Sequence, residues 1–493
     1  MFYKSALLLS FLLGFQLSVK ANFVFNNNSI AAYKAIYELK FNDAKKYIQD
    51  EKLRNPQNGI TVLLDNYADY LHLLTSENKS EYEKLKDLKS DRIDAIKDND
   101  ENSPYYLFAQ AEIYLQWGML KAKFGDYTAS TLDLNKAKNL LNENNNKFKD
   151  FLPNQKSLAL LDVIFGAIPS NLRGIANFFG IRGDIASGYK QLEKFRTQIA
   201  GSSYSYYNDE AVFLLCFTEI DVLHSRNNYA HLAQLLDGMN DKSLLKAYLQ
   251  GYVAYKTGHN DEAINYLQNA PKSNLYPALP AISYLLGNAK LCRMDTDANV
   301  YLLKFLKETR GINYIKDSYQ KLAYYYLLRN DLNNYNNYIK LTRTKGYATD
   351  EKDKQALKEA NDVKPDLELL KARLYFDGGY YNNALVQLKS KQVNDLKNIR
   401  DKIELYYRFG RTYDRMNVFN DALTNYQRAI NIGKKETYYY AANSALFSGV
   451  IYEQKKDYKK AAEYYNQALQ MKNHEYQNSI DTQAKEGLNR INQ

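Results

Sequence analysis

A small residue followed twelve positions later by Ala or Ser recurs along this chain of 493 residues. Gly410 leads to Ala422, Gly449 to Ala461, Ala372 to Ala384, Gly251 to Ala263, Gly118 to Ser130 and Ala32 to Ala44. Large residues keep their own offsets around these pairs. Tyr406, Phe409 and Tyr413 accompany Tyr426 and Ala429, Tyr452 accompanies Tyr465 and Ala468, and Trp117 accompanies Leu134 and Ala137. Offsets of three and four place residues on one helix face. A gap of twelve that contains a short stretch such as "MNVFN" suits two antiparallel helices joined by a tight turn. The small residues let the two helices approach, and the aromatics fill the space around that contact. Each such hairpin leaves an apolar face that only a neighbouring hairpin covers, so the recurrence points to a stacked array.

The composition agrees with long helices. Pro is scarce, at 8, as is Gly, at 22, whereas turn-rich β-structure needs both. The chain is too long for one ordinary core. Tyr is abundant, 46 against 21 Phe and one Trp. Its ring is apolar and its hydroxyl wants a partner or water, which suits thin helical layers with much half-buried surface.

The offsets resemble the tetratricopeptide repeat, whose pattern is W-x2-L-G-x2-Y, then A-x3-F, then A. The resemblance implies an all-α fold of helix-turn-helix repeats stacked into an α-solenoid. It implies a binding function rather than catalysis, with a protein or peptide ligand in a concave groove lined by the first helix of each repeat. Gly287 with Leu286 and Leu303 fits the pattern more loosely, as does Ala323 with Tyr319, Leu322 and Tyr326. From Gly410 to Gly449 is 39 positions rather than the usual 34. The extra residues fall in "GKKETYYYAANSA" and are expected to lengthen a helix.

In proteins that this chain resembles, the non-core positions of the first helices face the ligand. Here they are Tyr407, Arg408, Arg411 and Arg415, with Arg373 in the preceding repeat. This is a cationic strip, and a guanidinium fork matches a carboxylate. The expected ligand is an acidic segment or a free C-terminal carboxylate. The opposing expectation is that Asp366, Asp377, Glu404 and Asp414 neutralise these arginines within the protein. The Lys and Asn clamp of the family is not reproduced, so no known ligand carries over.

Four segments follow. Residues 1–21 read as a signal peptide: Lys4 precedes the apolar run "ALLLSFLLGF", and Val19 and Ala21 take the small-residue positions of a cleavage site. The run is short for a transmembrane helix. Residues 22–345 form an N-terminal divergent array, 346–366 a polar charged helix and linker closed by Pro365, and 367–493 the C-terminal array. One stretch, "IFGAIPSNLRGIANFFGIRGDIASG" (164–188), is apolar and Gly-rich. It reads as a tightly packed hairpin, with Leu172, Ile175, Ala176, Phe179, Gly188 and Leu192 as a degenerate repeat, or as an element docking on a membrane or partner. Export to a periplasm or the outer-membrane face is the expectation, with association with the envelope membrane left open. Nothing in the repeats sets an oligomeric state.

The chemistry-bearing residues are sparse. The net charge is +10, but Lys and Arg alternate with Asp and Glu without a basic block, so nucleic acid is not the expected partner. Cys216 and Cys292 lie in apolar helical contexts and read as small core residues. His224 and His231 could share a helix face but lack a third metal ligand. There is no nucleophile elbow and no phosphate loop. No cofactor and no enzyme activity are expected. A rival reading, a glycan-capturing protein like the repeat-containing SusD family, draws on the Tyr abundance. It lacks that family's lipidated Cys.

Overall fold

The computed structural model describes residues 23–168, 182–225 and 227–492. The expected leader lies outside them, as do Leu172, Ile175, Ala176 and Phe179. The described residues are helical and contain no β-strand. None of their helices is long and apolar enough to cross a membrane. Paired helices succeed one another along the chain. The hairpins include Pro104–Lys123 with Tyr127–Lys147, Pro153–Gly166 with Ile185–Ile199, and Leu244–Thr257 with Asn260–Gln268. They continue with Pro280–Cys292 and Ala298–Glu308, Ile315–Leu327 and Leu332–Thr344, and Leu367–Asp377 and Tyr381–Lys389. The last two are Ile399–Arg415 with Phe419–Gly433 and Tyr440–Gln454 with Tyr458–Gln470.

One turn design explains the twelve-residue spacing. The first helix ends on a single left-handed residue, Gly125, Gly258, Gly379, Asn417 or Lys456, with φ between 60° and 94°. The next backbone N–H then donates to the carbonyl five positions earlier. Val418 reaches Tyr413 at 2.9 Å, Asp457 reaches Tyr452 at 2.9 Å and Tyr380 reaches Tyr375 at 2.8 Å. This closure satisfies carbonyls that the helix end would leave unpaired. The chain re-enters a helix at once, and the Ala or Ser of the pattern comes five residues after the left-handed one. In the hairpin Pro280–Cys292 the left-handed residue is Met294 and Ala298 follows after four. The register is one residue shorter there, so Leu302 rather than the expected Leu303 packs on Gly287, and Leu303 is exposed.

The small residues act as anticipated, with one refinement. Ala263, Ala384, Ala422 and Ala461 are wholly buried, and Ala372 nearly so. Each repeat Gly faces the side chain sixteen positions on. A Cβ on Gly410 would lie 2.4 Å from a Tyr426 ring carbon, and one on Gly449 would lie 2.6 Å from Tyr465. Gly251 meets Leu267 at 2.4 Å and Gly118 meets Leu134 at 2.9 Å in the same sense. The Gly is thus the socket for the large residue of the second helix, and the Ala closes the crossing beside it. Trp117, Tyr426 and Tyr465 are buried, each worth about 1.5–3 kcal/mol of apolar burial. Gly188 plays a related part, since its Cβ would meet the Ala159 carbonyl at 2.6 Å.

Two segments differ from expectation. The extra residues between Gly410 and Gly449 do not lengthen a helix. They form the bend Lys434–Tyr439, whose Thr437 carbonyl accepts from the Glu475 N–H at 2.9 Å. The polar stretch before Pro365 contains the expected helix, Glu351–Asn361, but it packs against the hairpin Ile315–Leu327 and Leu332–Thr344. Its Asp353 is fully buried and accepts from the backbone N–H groups of Tyr314 and Asp317 at 2.6 and 3.0 Å. It therefore serves the unpaired donors at the start of another helix.

The array also folds back on itself. The turn at Gly379 lies against the turn at Gly258, where a Cβ on Gly379 would strike the Gly258 carbonyl at 2.0 Å. Asn260 donates to the Tyr380 hydroxyl at 3.1 Å across 120 positions, and that hydroxyl donates to Asp261 at 2.9 Å. In a regular solenoid each repeat touches only its neighbours. Here the contact brings the helix Leu244–Thr257 opposite the C-terminal helices.

Candidate functional site

That closure creates a cleft of about 410 Å³. Its wall residues stand on the first helices of four hairpins and on Glu351–Asn361. Tyr255 and Lys256 come from Leu244–Thr257, and Arg373, Phe376 and the carboxylate Asp377 from Leu367–Asp377. Tyr407, Arg408 and Arg411 come from Ile399–Arg415, and Asn443 and Phe447 from Tyr440–Gln454. Lys352 and Gln355 stand on Glu351–Asn361, and Tyr439 comes from the bend. Four of the five residues expected at a ligand, Arg373, Tyr407, Arg408 and Arg411, therefore converge. Arg415 does not line the cleft. Its guanidinium donates to the Tyr381 hydroxyl and to Asn227, both at 3.2 Å.

The arginines are in different electrostatic states. Arg408 is clasped by Glu404, one turn before it, at 2.9 and 2.8 Å. Arg373 is held by both oxygens of Glu359 at 3.0 Å. Burial alone would push the Glu359 carboxyl up, but the Arg373 charge outweighs it and holds the group well below the usual carboxylate range. Neutralisation within the protein is thus real for two arginines. Of the carboxylates anticipated for it, Glu404 takes part, whereas Asp366 pairs with Lys391 at 3.0 Å. Asp377 lines the cleft beside Arg373 without an ion pair among the described residues, and Asp414 accepts from the Tyr426 hydroxyl at 3.0 Å while its charge also acts on Arg411. Glu359 is an addition from the helix before Pro365.

Arg411 differs from both. Its guanidinium lies 3.7 Å from the Phe447 ring centroid and 5.5 Å from that of Phe376. It forms no ion pair among the described residues, and its buried Nε finds no hydrogen-bond acceptor there. A guanidinium stacked on aromatic faces keeps its in-plane donors directed outward. Tyr407 and Arg408 line the cleft but expose little surface to it, because Tyr439 and Tyr440 close over the Tyr407 ring at 5.6 and 5.2 Å. Asn443 donates to the Tyr407 hydroxyl at 3.1 Å.

Register could have found Phe447. It stands two positions before Gly449, as Arg408 stands two before Gly410. Lys256 belongs to a distant repeat and Lys352 to a helix outside the repeat pattern, so no local signal marks them. Cys216 and Cys292 are buried and unbridged, as their contexts suggested. Among the described residues no three His, Cys, Asp or Glu side chains are placed to share a metal ion.

Residues 401–474 match the family model described as tetratricopeptide repeat. No curated protein sequence matches the chain. Several solved structures are similar over most of its length at low identity. The Cut9–Hcn1 hetero-tetramer of APC/C is 11% identical, with 94% of this chain and 96% of that chain covered and a TM-score of 0.26. The human IFIT1 dimer with PPP-AAAA is 12% identical, covering 90% and 89%, with a TM-score of 0.31. Yeast Tom70 is 13% identical, covering 97% and 91%, with a TM-score of 0.25. Repeats of this kind generally form scaffolds for protein interaction rather than catalysts. The family match on 401–474 and the Gly socket that recurs from Gly118 to Gly449 agree: residues 401–474 are tetratricopeptide repeats, and the same hairpin design recurs in the described residues before them.

Proposed function

We propose that the chain is an interaction scaffold of the cell envelope, exported by residues 1–21, whose cleft between Arg373 and Phe447 takes an acidic segment or a free C-terminal carboxylate of a partner protein. The observation that supports this most is Arg411. Like Arg415 it forms no ion pair among the described residues, but unlike Arg415 it lines the cleft, and it stands in a preformed aromatic setting. Arg373 and Arg408 keep further N–H donors while their charges are balanced by Glu359 and Glu404. A carboxylate entering there replaces water on one guanidinium and meets fixed donors on the others. Rigid helices lower the ordering cost on the receptor side.

Fluorescence anisotropy with a labelled Asp-containing peptide, in free-acid and C-terminal amide forms, tests the reading. Arg411→Gln is expected to weaken binding about tenfold, the size of one charge-assisted contact, with the parent affinity falling as salt rises. Equal affinities of parent and Arg411→Gln, both folded by circular dichroism, would remove the cleft as the acidic-ligand site.

A further inference from the structure

The cleft does not end at Lys256 and Lys352. Both residues also line a second chamber of about 190 Å³. Its walls carry four tyrosines, Tyr248, Tyr252, Tyr284 and Tyr314, and three carboxylates, Asp221, Asp350 and Glu351. The tyrosines stand in two stacked pairs. Tyr248 and Tyr252 have centroids 5.8 Å apart, and Tyr284 and Tyr314 have centroids 4.7 Å apart. The groove is thus polar along its length. The first part carries three guanidinium groups and the carboxylate of Asp377; the second carries three carboxylates beside tyrosine faces, with Asp221 paired to Lys256 and Glu351 to Lys354.

The protein's own lysines show what the second chamber holds. The Lys256 ammonium lies 5.2 Å from the Tyr252 centroid and 3.4 Å from Asp221. The Lys352 ammonium lies 5.4 Å from the Tyr284 centroid and 6.0 Å from that of Tyr314. Aromatic faces backed by carboxylates attract cations. Asp350 is the one of the three carboxylates without an ion pair among the described residues, and the nearby Lys352 charge offsets only part of its burial. It accepts from the Lys352 backbone N–H at 2.8 Å. Burial pushes its carboxyl above the usual range, so an incoming cation would relieve it.

We infer that the groove binds one extended peptide of mixed charge, with its acidic group at Arg411 and a Lys or Arg side chain in the tyrosine chamber beside Asp350. This rests on the acidic-ligand reading of the first cleft and adds a second contact to it. The two charges must stand a constant number of residues apart, because the two chambers are fixed on packed helices and meet at Lys256 and Lys352. Single acidic tails would fill one half and leave the Asp350 carboxylate only partly compensated by Lys352.

A phage-displayed library of random peptides, panned against the full chain, tests this. The expected result is enriched clones that carry an acidic residue or C-terminus and a basic residue at one fixed spacing. For the best clone, made as a labelled peptide, Asp350→Asn should weaken binding about fivefold to tenfold. Asn caps a helix as well as Asp does, so the fold of Glu351–Asn361 is kept. Replacing the basic residue of the peptide by Ala should cause a similar loss, and the two losses together should not add. Acidic clones without a basic partner, or additive losses, overturn this inference and leave the acidic-ligand reading standing. Clones with no charge pattern overturn both.

Discussion

Gly410→Ala tests the socket that defines every repeat. In an exposed helix this change stabilises by about 1 kcal/mol, because Ala loses less backbone freedom. Here the new Cβ would stand 2.4 and 2.6 Å from two carbons of the Tyr426 ring, where carbon atoms prefer about 3.5–4.0 Å. The overlap exceeds 1 Å. The ring has nowhere to retreat. It is fully buried, its hydroxyl is tied to Asp414 at 3.0 Å, and Phe447 lies 6.2 Å away on the next repeat. The helices Ile399–Arg415 and Phe419–Gly433 must therefore separate. Overpacking of this kind costs about 1–3 kcal/mol, and the propensity gain offsets up to about 1 of that. The net expectation is a loss of about 0.5–2 kcal/mol, read from urea unfolding by circular dichroism and from faster hydrogen exchange in residues 399–433. Two controls sharpen it. Gly238→Ala places its Cβ no closer than 3.4 Å to any neighbour and should be neutral to within about 0.5 kcal/mol. In a Tyr426→Ala background the cost of Gly410→Ala should vanish. Equal or greater stability of Gly410→Ala in the parent background would refute the packing argument.

Ala461→Leu should lose about 1–3 kcal/mol by the same overpacking and spread the damage to the C-terminal repeats; a parent-like urea midpoint would count against the register. Arg373→Ala should destabilise by about 2–3 kcal/mol, below the range for a fully buried pair because the two side chains remain 18% and 24% exposed. It leaves Glu359 uncompensated, so its stability must be measured before any binding loss is credited to the groove. The same pair predicts pH dependence. The folded state holds the Glu359 proton less tightly than the unfolded chain, so the pair's stability is present above about 4.5 and is lost as pH falls toward the depressed folded value. Glu359→Gln should flatten that acid limb, and an unchanged limb would argue against the assignment. For export, N-terminal sequencing of the chain from an envelope fraction should begin at Asn22; an intact Met1 in membrane-bound material would overturn the cleavage reading.

Local chemistry made the repeats legible. A left-handed turn residue, the Ala five positions later and the Gly socket all act within about twenty residues, so each hairpin writes its own signature. The signature weakens where the register slips, as at Met294, and there Leu303 was expected where Leu302 packs. It says nothing about helices outside the pattern. Glu351–Asn361 is rich in charge, and charge reads as solvent exposure until a partner is known. Its Asp353 and Glu359 are satisfied by Tyr314, Asp317 and Arg373, none of them neighbours in sequence.

By itself the amino-acid sequence determined the hairpins and their buried small residues, and it named four of the first-helix positions that line the cleft. Only the tertiary structure decided which of those positions meet. The contact of Gly379 with Gly258 sets the Leu244–Thr257 helix against Arg373 and Arg411, and it joins the arginine cleft to the tyrosine chamber. It also decided which arginines are already paired. The physical reason is distance along the chain. Helix and turn formation are short-range and leave periodic traces, whereas charge pairing and groove closure depend on packing between residues that the chain keeps far apart.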